Sequence, residues 1–286
     1  MSGEIWRIGA VKITRIVEIE MLGGMSRVLP DATREGVKAI PWLRPHFADE
    51  AGRMIGSIHM FVIDTGERRI VVDTCLGNDK PRSTPAWDRM QTRFLADLEA
   101  AGYRAADIDN VFCTHLHIDH VGWNTTLRDG RWVPTFPNAR YLFGRTEFEH
   151  WRDSAGDGEQ QQVMADSVLP VWEAGLVDLV AHDQRICPEV RLVPTPGHTP
   201  GHASVMIESQ GATALITGDF LHHPCQFAYP HWCSGFDSDR GQAVATRLSM
   251  FERLGDGPTL ILGTHFATPT AGHLKRDGGA WRFDVG

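Results

Sequence analysis

Short apolar runs bounded by turn-forming residues dominate the chain, and they predict strands more often than helices. Val11–Glu18 reads as a strand, and Ile58–Asp64 with Arg69–Asp73 flanks Gly66-Glu67 as a hairpin would. Phe94, Leu95 and Leu98 recur at helical spacing and Gly102 closes the segment, so a helix is expected over Arg89–Ala101. Asn110–Thr114 then predicts a strand feeding the densest histidine run in the chain. Further strands are expected at Arg140–Phe143, Arg191–Val193, Ala203–Glu208, Ala214–Thr217 and Thr259–Leu262, with helices near Glu147–Trp151, Gln160–Glu173 and Arg240–Leu254. Strands and helices are interspersed in both halves, and no low-complexity tract, Pro/Ser-rich linker or short-period repeat marks a boundary. A single domain over residues 1–286 is therefore expected. Residues 21–57 break the pattern, mixing Gly23-Gly24, Pro30, Pro41, Trp42 and Pro45 without a period, and are expected to form a long functional loop that caps a pocket or makes a dimer contact.

Composition narrows the class. With 42% hydrophobic and 22% charged residues over 286 positions, the chain can bury a core and is neither fibrous nor disordered. A net charge of −8 with no Lys/Arg run argues against a nucleic-acid or anionic-membrane partner. The five cysteines, Cys75, Cys113, Cys187, Cys225 and Cys233, are odd in number and form no Cys-x-x-Cys pair, which suits a reducing cytosol. The first residues lack a signal-peptide pattern and no uncharged apolar stretch is long enough to span a membrane, so a cytoplasmic protein is expected.

The 14 histidines are where the chemistry concentrates. Thr114-His115-Leu116-His117-Ile118-Asp119-His120 places three imidazoles and a carboxylate directly after an apolar strand, a crowding that a bound cation explains economically. In an extended segment His115 and His117 point to the same side, while Asp119 and His120 lie where a turn can present them to a second ion. One loop cannot complete such a site. Three more strand ends supply candidates: Pro196-Gly197-His198-Thr199-Pro200-Gly201-His202, Gly218-Asp219 and Gly263-Thr264-His265.

Taken in order, H-x-H-x-D-H, T-P-G-H, G-D and G-T-H resemble the metallo-β-lactamase superfamily of hydrolases, from about Ile58 to Phe266. The resemblance implies an α/β fold, the αββα sandwich of the metallo-β-lactamase type, with a dinuclear metal site at one edge of the sandwich. It implies that His115, His117 and His198 hold one ion, that Asp119, His120 and His265 hold the other, and that Asp219 bridges them. It implies further that Asp73 supports a ligand imidazole from behind, and that His202, four residues after His198, is not a ligand.

Two divalent ions, with zinc as the default among several metals that accept such ligands, would hold a shared water and generate hydroxide near neutral pH. Asp119 or Asp219 would relay a proton to the leaving group, and no G-x-S-x-G motif offers a serine nucleophile. No cysteine follows Asp219 closely, as one subclass of β-lactamase needs; the charge suits no polymer substrate; only about twenty residues follow His265, too few for the helical region of the glutathione-thioester hydrolases. The remaining resemblance is to the branch of lactonases, arylesterases and phosphotriesterases. Many bacterial lactonases carry a Tyr three residues after the bridging Asp; here that position is His222, expected to donate to an oxyanion, with His223 beside it. Of Trp42, Trp123, Trp132 and Trp232, Trp123 is the best placed to meet substrate. The expectation is a hydrolase of a small neutral lactone or ester, which could assemble as a homodimer. The alternatives are an arylesterase or phosphotriesterase, then a β-lactam hydrolase, then a metal-binding protein without turnover.

Overall fold

The computed structural model describes residues 4–153 and 158–286. Residues 1–3, the start of the segment expected to lack a signal peptide, lie outside the described residues. The chain divides into two compact units, Met1–Glu18 with Ile58–Ala181 and Ile19–Ser57 with His182–Gly286.

The first unit is built on β1 (Ile5–Ile8), β2 (Val11–Leu22), β3 (Ile55–Asp64), β4 (Arg69–Val72), β5 (Asn110–Cys113), β6 (Thr125–Arg128), β7 (Arg131–Pro134), β8 (Arg140–Gly144) and β9 (Val177–Val180). One sheet runs in the order β1-β2-β3-β4-β5-β8-β9, and β6 and β7 form a separate ribbon. The expected hairpin is present, pairing Phe61 with Val72 and Asp64 with Arg69 across a turn in which Gly66 has φ +87°. β4, β5, β8 and β9 run parallel. Every residue of Asn110–Cys113 is buried, which is why this strand reads as an unbroken apolar run and not as an alternation.

Two helical expectations change. The helix expected over Arg89–Ala101 covers only Phe94–Ala100. Arg89 sits at φ +47°, and the segment before Phe94 spends its hydrogen bonds on a neighbouring loop: Asp79 N–H donates to Met90 O and Thr92 N–H to Asn78 Oδ1. Those bonds replace the first helical turns. The helix expected over Gln160–Glu173 contains a π-helical stretch, Met164–Val168, between the α-helical pieces Gly158–Val163 and Leu169–Glu173. Pro170 has no N–H to give the carbonyl of Asp166, and that oxygen accepts instead from buried Lys80 Nζ at 2.7 Å.

The second unit carries β10 (Arg185–Cys187), β11 (Val190–Pro194), β12 (Ala203–Ser209), β13 (Ala212–Ile216), β14 (Leu260–Leu262), β15 (Ala271–Asp277) and β16 (Ala280–Asp284), hydrogen-bonded in sequence order. All neighbours are antiparallel except β13 and β14. The helix Arg240–Leu254 stands where expected, and its first turn is capped by Asp239, whose side chain accepts from Gln242 N–H. Residues 21–57 are not a loose loop: short helices at Met25–Val28 and Arg34–Lys38 and a 3₁₀ turn at Pro41–Leu43 bury Met25, Leu29, Val37, Leu43, Phe47 and Met54 in this unit's core. Phe47 packs against Phe266 and Phe283, with ring centroids 6.3 and 5.8 Å away.

Each unit thus contains parallel neighbours, β4-β5-β8-β9 in the first and β13 beside β14 in the second, and the candidate ligands follow the carboxyl ends of β5 in the first unit and of β11, β13 and β14 in the second. Among the described residues no helix is long and apolar enough to cross a membrane.

Candidate metal centre

In the first unit the chain turns sharply after β4, with Asp73 at φ +58°. The Asp73 carboxylate accepts from Thr114 N–H at 2.7 Å and from the Thr114 hydroxyl, and its Oδ2 lies 3.0 Å from His120 Nδ1. Thr74 N–H in turn holds the carbonyl of His120, at 2.7 Å. Gly122 passes so close to Leu76 that a Cβ there would meet its backbone at 1.9 Å, so the turn after His120 requires glycine. His115 Nδ1 lies 3.1 Å from Thr114 Oγ1, and His115 Nε2 faces His117 Nδ1 at 3.0 Å. Asp119 Oδ1 is 3.6 Å from His120 Nε2.

In the second unit β11 ends in the turn that carries His198. Gly197 has φ +131°, and a Cβ on it would sit 2.3 Å from Ala243 N, so only glycine lets this turn lie against the helix Arg240–Leu254. His198 Nδ1 lies 2.8 Å from Asp237 Oδ1. Burial alone would raise the Asp237 carboxyl, but the hydrogen bond to His198 and positive charge on its neighbours hold it below the usual carboxylate range. Asp219, just after β13, is met by three imidazoles: His198 Nε2 at 3.5 Å and His222 Nε2 at 3.2 Å from Oδ2, and His265 Nε2 at 3.1 Å from Oδ1. His265 Nδ1 is 3.0 Å from the carbonyl of Ser57.

A pattern runs through both units. His115, His120, His198 and His265 each rest Nδ1 on a protein oxygen, from Thr114, Asp73, Asp237 and Ser57, which leaves Nε2 as the nitrogen presented. Facing nitrogens such as those of His115 and His117 can share at most one hydrogen, whereas a cation accepts both lone pairs. Imidazole nitrogens and carboxylate oxygens are the donor set of zinc and its first-row neighbours, so the residues in each unit fit a divalent metal.

Four residues flagged by position resolve differently. His202 Nε2 accepts from Asp219 N–H at 2.7 Å, and its Nδ1 lies 2.8 Å from Thr195 Oγ1. His202→Ala should therefore leave metal stoichiometry intact while lowering the unfolding temperature, because a buried amide loses its acceptor. Loss of a metal equivalent in this variant, measured by elemental analysis, would make His202 a ligand. Trp123 is 3% exposed, stacks on Phe94 at 5.6 Å and donates its indole N–H to Glu18 Oε1 at 2.7 Å; it packs the interior of its unit. His223 is fully buried, with Nε2 2.8 Å from the carbonyl of Phe47 and Nδ1 accepting from Cys225 N–H at 3.2 Å.

His222, the fourth, is also buried. Its N–H donates to Gln226 Oε1 at 2.7 Å, and burial, opposed by Asp219, lowers the pKa of its ring. His198, Asp219 and His222 place ligand atoms within 4.8 Å of one another, so His222 has the geometry of a ligand as well as of a donor.

The bonding of His223 fixes a pH dependence. Its ring is held neutral, with a pKa pushed by burial to about 4, because a proton on Nδ1 would face the Cys225 N–H. In the unfolded chain the ring titrates at about 6.5. The unfolded state therefore binds the extra proton first, and stability falls as pH drops from about 6.5 towards about 4, by at most about 3 kcal/mol. His223→Gln, which can donate and accept but does not titrate, should flatten this decline in urea unfolding measured between pH 7 and 4.5. Parallel curves for the two proteins would remove His223 as its source.

Asp237, Glu147 and Gln160 are not among the site residues that the sequence predicts. Asp237 lies in the Ser234-Gly235-Phe236-Asp237 turn, 39 residues from its partner, with no local pattern to mark it.

The family model described as "Metallo-beta-lactamase superfamily" matches residues 53–277. An N-acyl homoserine lactonase from a Bacillus species is 28% identical over 159 residues, 55% of this chain and 56% of that protein. The N-acyl homoserine lactonase AiiA of Bacillus thuringiensis subsp. kurstaki matches to the same extent, so the chain spans about half the length of these curated relatives. Among solved structures, AidC, described as a dizinc quorum-quenching lactonase, superposes with a TM-score of 0.81 at 20% identity over 99% of this chain and 96% of its own. The hydrolase AbOPH, described as in the beta lactamase superfamily, gives 0.82 at 24% identity over 100% and 98%. These two likenesses show a shared fold.

Proposed function

The chain belongs to the metallo-β-lactamase superfamily, and from that premise we propose that it is a metal-dependent hydrolase that opens a small neutral lactone or ester. His115, His117 and His198 would hold one divalent ion and Asp119, His120 and His265 the other, with Asp219 between them. Zinc is the metal we assign, as the dizinc description of AidC supports. When bound, the two ions supply a water acidified towards neutrality and a Lewis acid for the scissile carbonyl.

The observation that carries this reading is the common orientation of four imidazoles, each with Nδ1 within 3.1 Å of a protein oxygen and presenting Nε2. That arrangement orients the rings before any ligand arrives. Asp119 and Asp219 are the carboxylates in reach of a proton to be passed to the leaving alkoxide. His222, neutral because it is buried, gives a hydrogen bond to the carbonyl oxygen as negative charge develops on it. The loop that carries it is fastened to residues 21–57 through His223 and Phe47, which supports a capping role for that segment. Five buried thiols support a reducing, cytoplasmic setting.

The lactonases among the relatives support lactones as the substrate class, and the AbOPH likeness keeps aryl esters and phosphotriesters as the second reading. The test is hydrolysis of a panel by metal-loaded protein with chelated controls: two acyl-homoserine lactones, a γ-lactone, an aryl ester, a dialkyl aryl phosphate and a cephalosporin. Chelator-sensitive preference for the lactones is expected. A preference for the aryl ester or phosphate selects the second reading, and no turnover on any member rejects both.

A further inference from the structure

Between His115 and His117 the backbone is gripped from both sides. Leu116 N–H donates to Glu147 Oε1 at 3.0 Å, and Gln160 Nε2 donates to Leu116 O at 2.9 Å. Both side chains come from helices, Arg145–Asp153 and Gly158–Val163, and Glu147 is 1% exposed. The same Glu147 oxygen accepts a second hydrogen, from the indole Nε1 of Trp151 at 2.6 Å. Trp151 lies one helical turn after Glu147, and its ring centroid is 5.3 Å from that of His117, at an interplanar angle of 59°. Both His117 and Trp151 are only half buried, unlike His115 and His120. One buried carboxylate therefore fixes the peptide between two candidate ligands and an accessible aromatic ring beside the second of them.

We propose that Trp151 is the specificity-determining residue of this site, an aromatic side wall at His117 that receives the apolar acyl or aryl portion of the substrate, and that Glu147 is the positioning residue that sets it. The inference rests on the hydrolase reading for its substrate and on the Glu147–Trp151–His117 geometry for its location. An indole whose N–H is already satisfied by a buried carboxylate can take an apolar group against its exposed part without leaving a polar atom unpaired. A rigid ring also loses little conformational freedom when an alkyl chain settles on it. Nothing in the sequence marks Trp151 for the site, since it lies 31 residues beyond His120, within a helix, and only the fold brings it to His117.

Binding tests the wall without requiring turnover. Butanoate and decanoate carry the same carboxylate, which can anchor on the metals, and differ only in the tail. In titration calorimetry with zinc-loaded protein, decanoate should bind more tightly than butanoate. Trp151→Ala should weaken decanoate about tenfold and leave butanoate within about twofold, with zinc stoichiometry and circular dichroism unchanged, while Trp151→Phe retains most of the difference. Glu147→Ala should lose the same selectivity and Glu147→Gln, which keeps an oxygen acceptor for both N–H groups, should restore it; a merely structural role for Glu147 would weaken both acids alike. Equal weakening of the two acids by Trp151→Ala, or no preference for decanoate in the unmodified protein, overturns the inference. The lactone panel is read separately, so failure of hydrolysis rejects the function while the calorimetry still decides the wall.

Discussion

Asp219→Ala should remove at least one of the two metal equivalents and lower kcat/KM by on the order of a thousandfold or more. The expectation follows from how much converges on this carboxylate. His198 and His222 approach one oxygen at 3.5 and 3.2 Å, and His265 approaches the other at 3.1 Å. The backbone presents it rigidly: Gly218 adopts φ +57° and gives its N–H to Thr264 Oγ1 at 2.8 Å, while Asp219 N–H is held by His202. Without the carboxylate, three imidazoles converge on one buried point with no anion to offset the charge of a cation held among them. Elemental analysis with steady-state kinetics checks this. Two metals per chain and ordinary turnover in the variant would take Asp219 out of the centre altogether.

For His222→Phe the expected loss is in kcat, about a hundredfold, with metal content retained and KM little changed. Phenylalanine fills a similar buried volume, so the loop Leu221–Gln226 keeps its packing and its hydrogen bond from residue 222 N–H to Gln226 Oε1. What disappears is the ring N–H near Asp219. A hydrogen bond that strengthens as charge grows on the attacked carbonyl acts in the transition state, which is why kcat should carry the effect. Loss of one metal equivalent would instead assign His222 as a ligand with His198 and Asp219, which its geometry also allows. Unchanged kinetics with unchanged metal would leave it a packing residue of the loop.

The candidate ligands stood out in the sequence because metal ligation calls for short, local spacing. Two histidines one residue apart after a buried strand, a turn rich in Gly and Pro before a histidine, and a carboxylate or imidazole at a strand end are patterns carried within a few positions. The metallo-β-lactamase fold followed from their order, and the family match bears out that recognition. Central strands were legible for a related reason: β5, β11, β12 and β13 are buried along most of their length and read as apolar runs. The last hairpin was less so. β15 and β16 pair across Gly278-Gly279, and Lys275, Arg276 and Arg282 interleave with buried Leu274, Trp281 and Phe283, so their mixed polarity hid Phe283, which packs in the core of its unit.

What the sequence by itself determined is the set of candidate ligands, the family and the class of chemistry, since each depends on residue type at close spacing. The tertiary structure alone decided which side chains orient those ligands and which aromatic meets them. Asp237 reaches His198 across 39 residues, Ser57 reaches His265 across 208, and Glu147 reaches Leu116 across 31. Trp123, close in sequence, turns inward to Glu18, while Trp151, distant, stands at His117. A hydrogen-bond partner need only be near in space, and burial makes that partner obligatory without saying where in the chain it must come from.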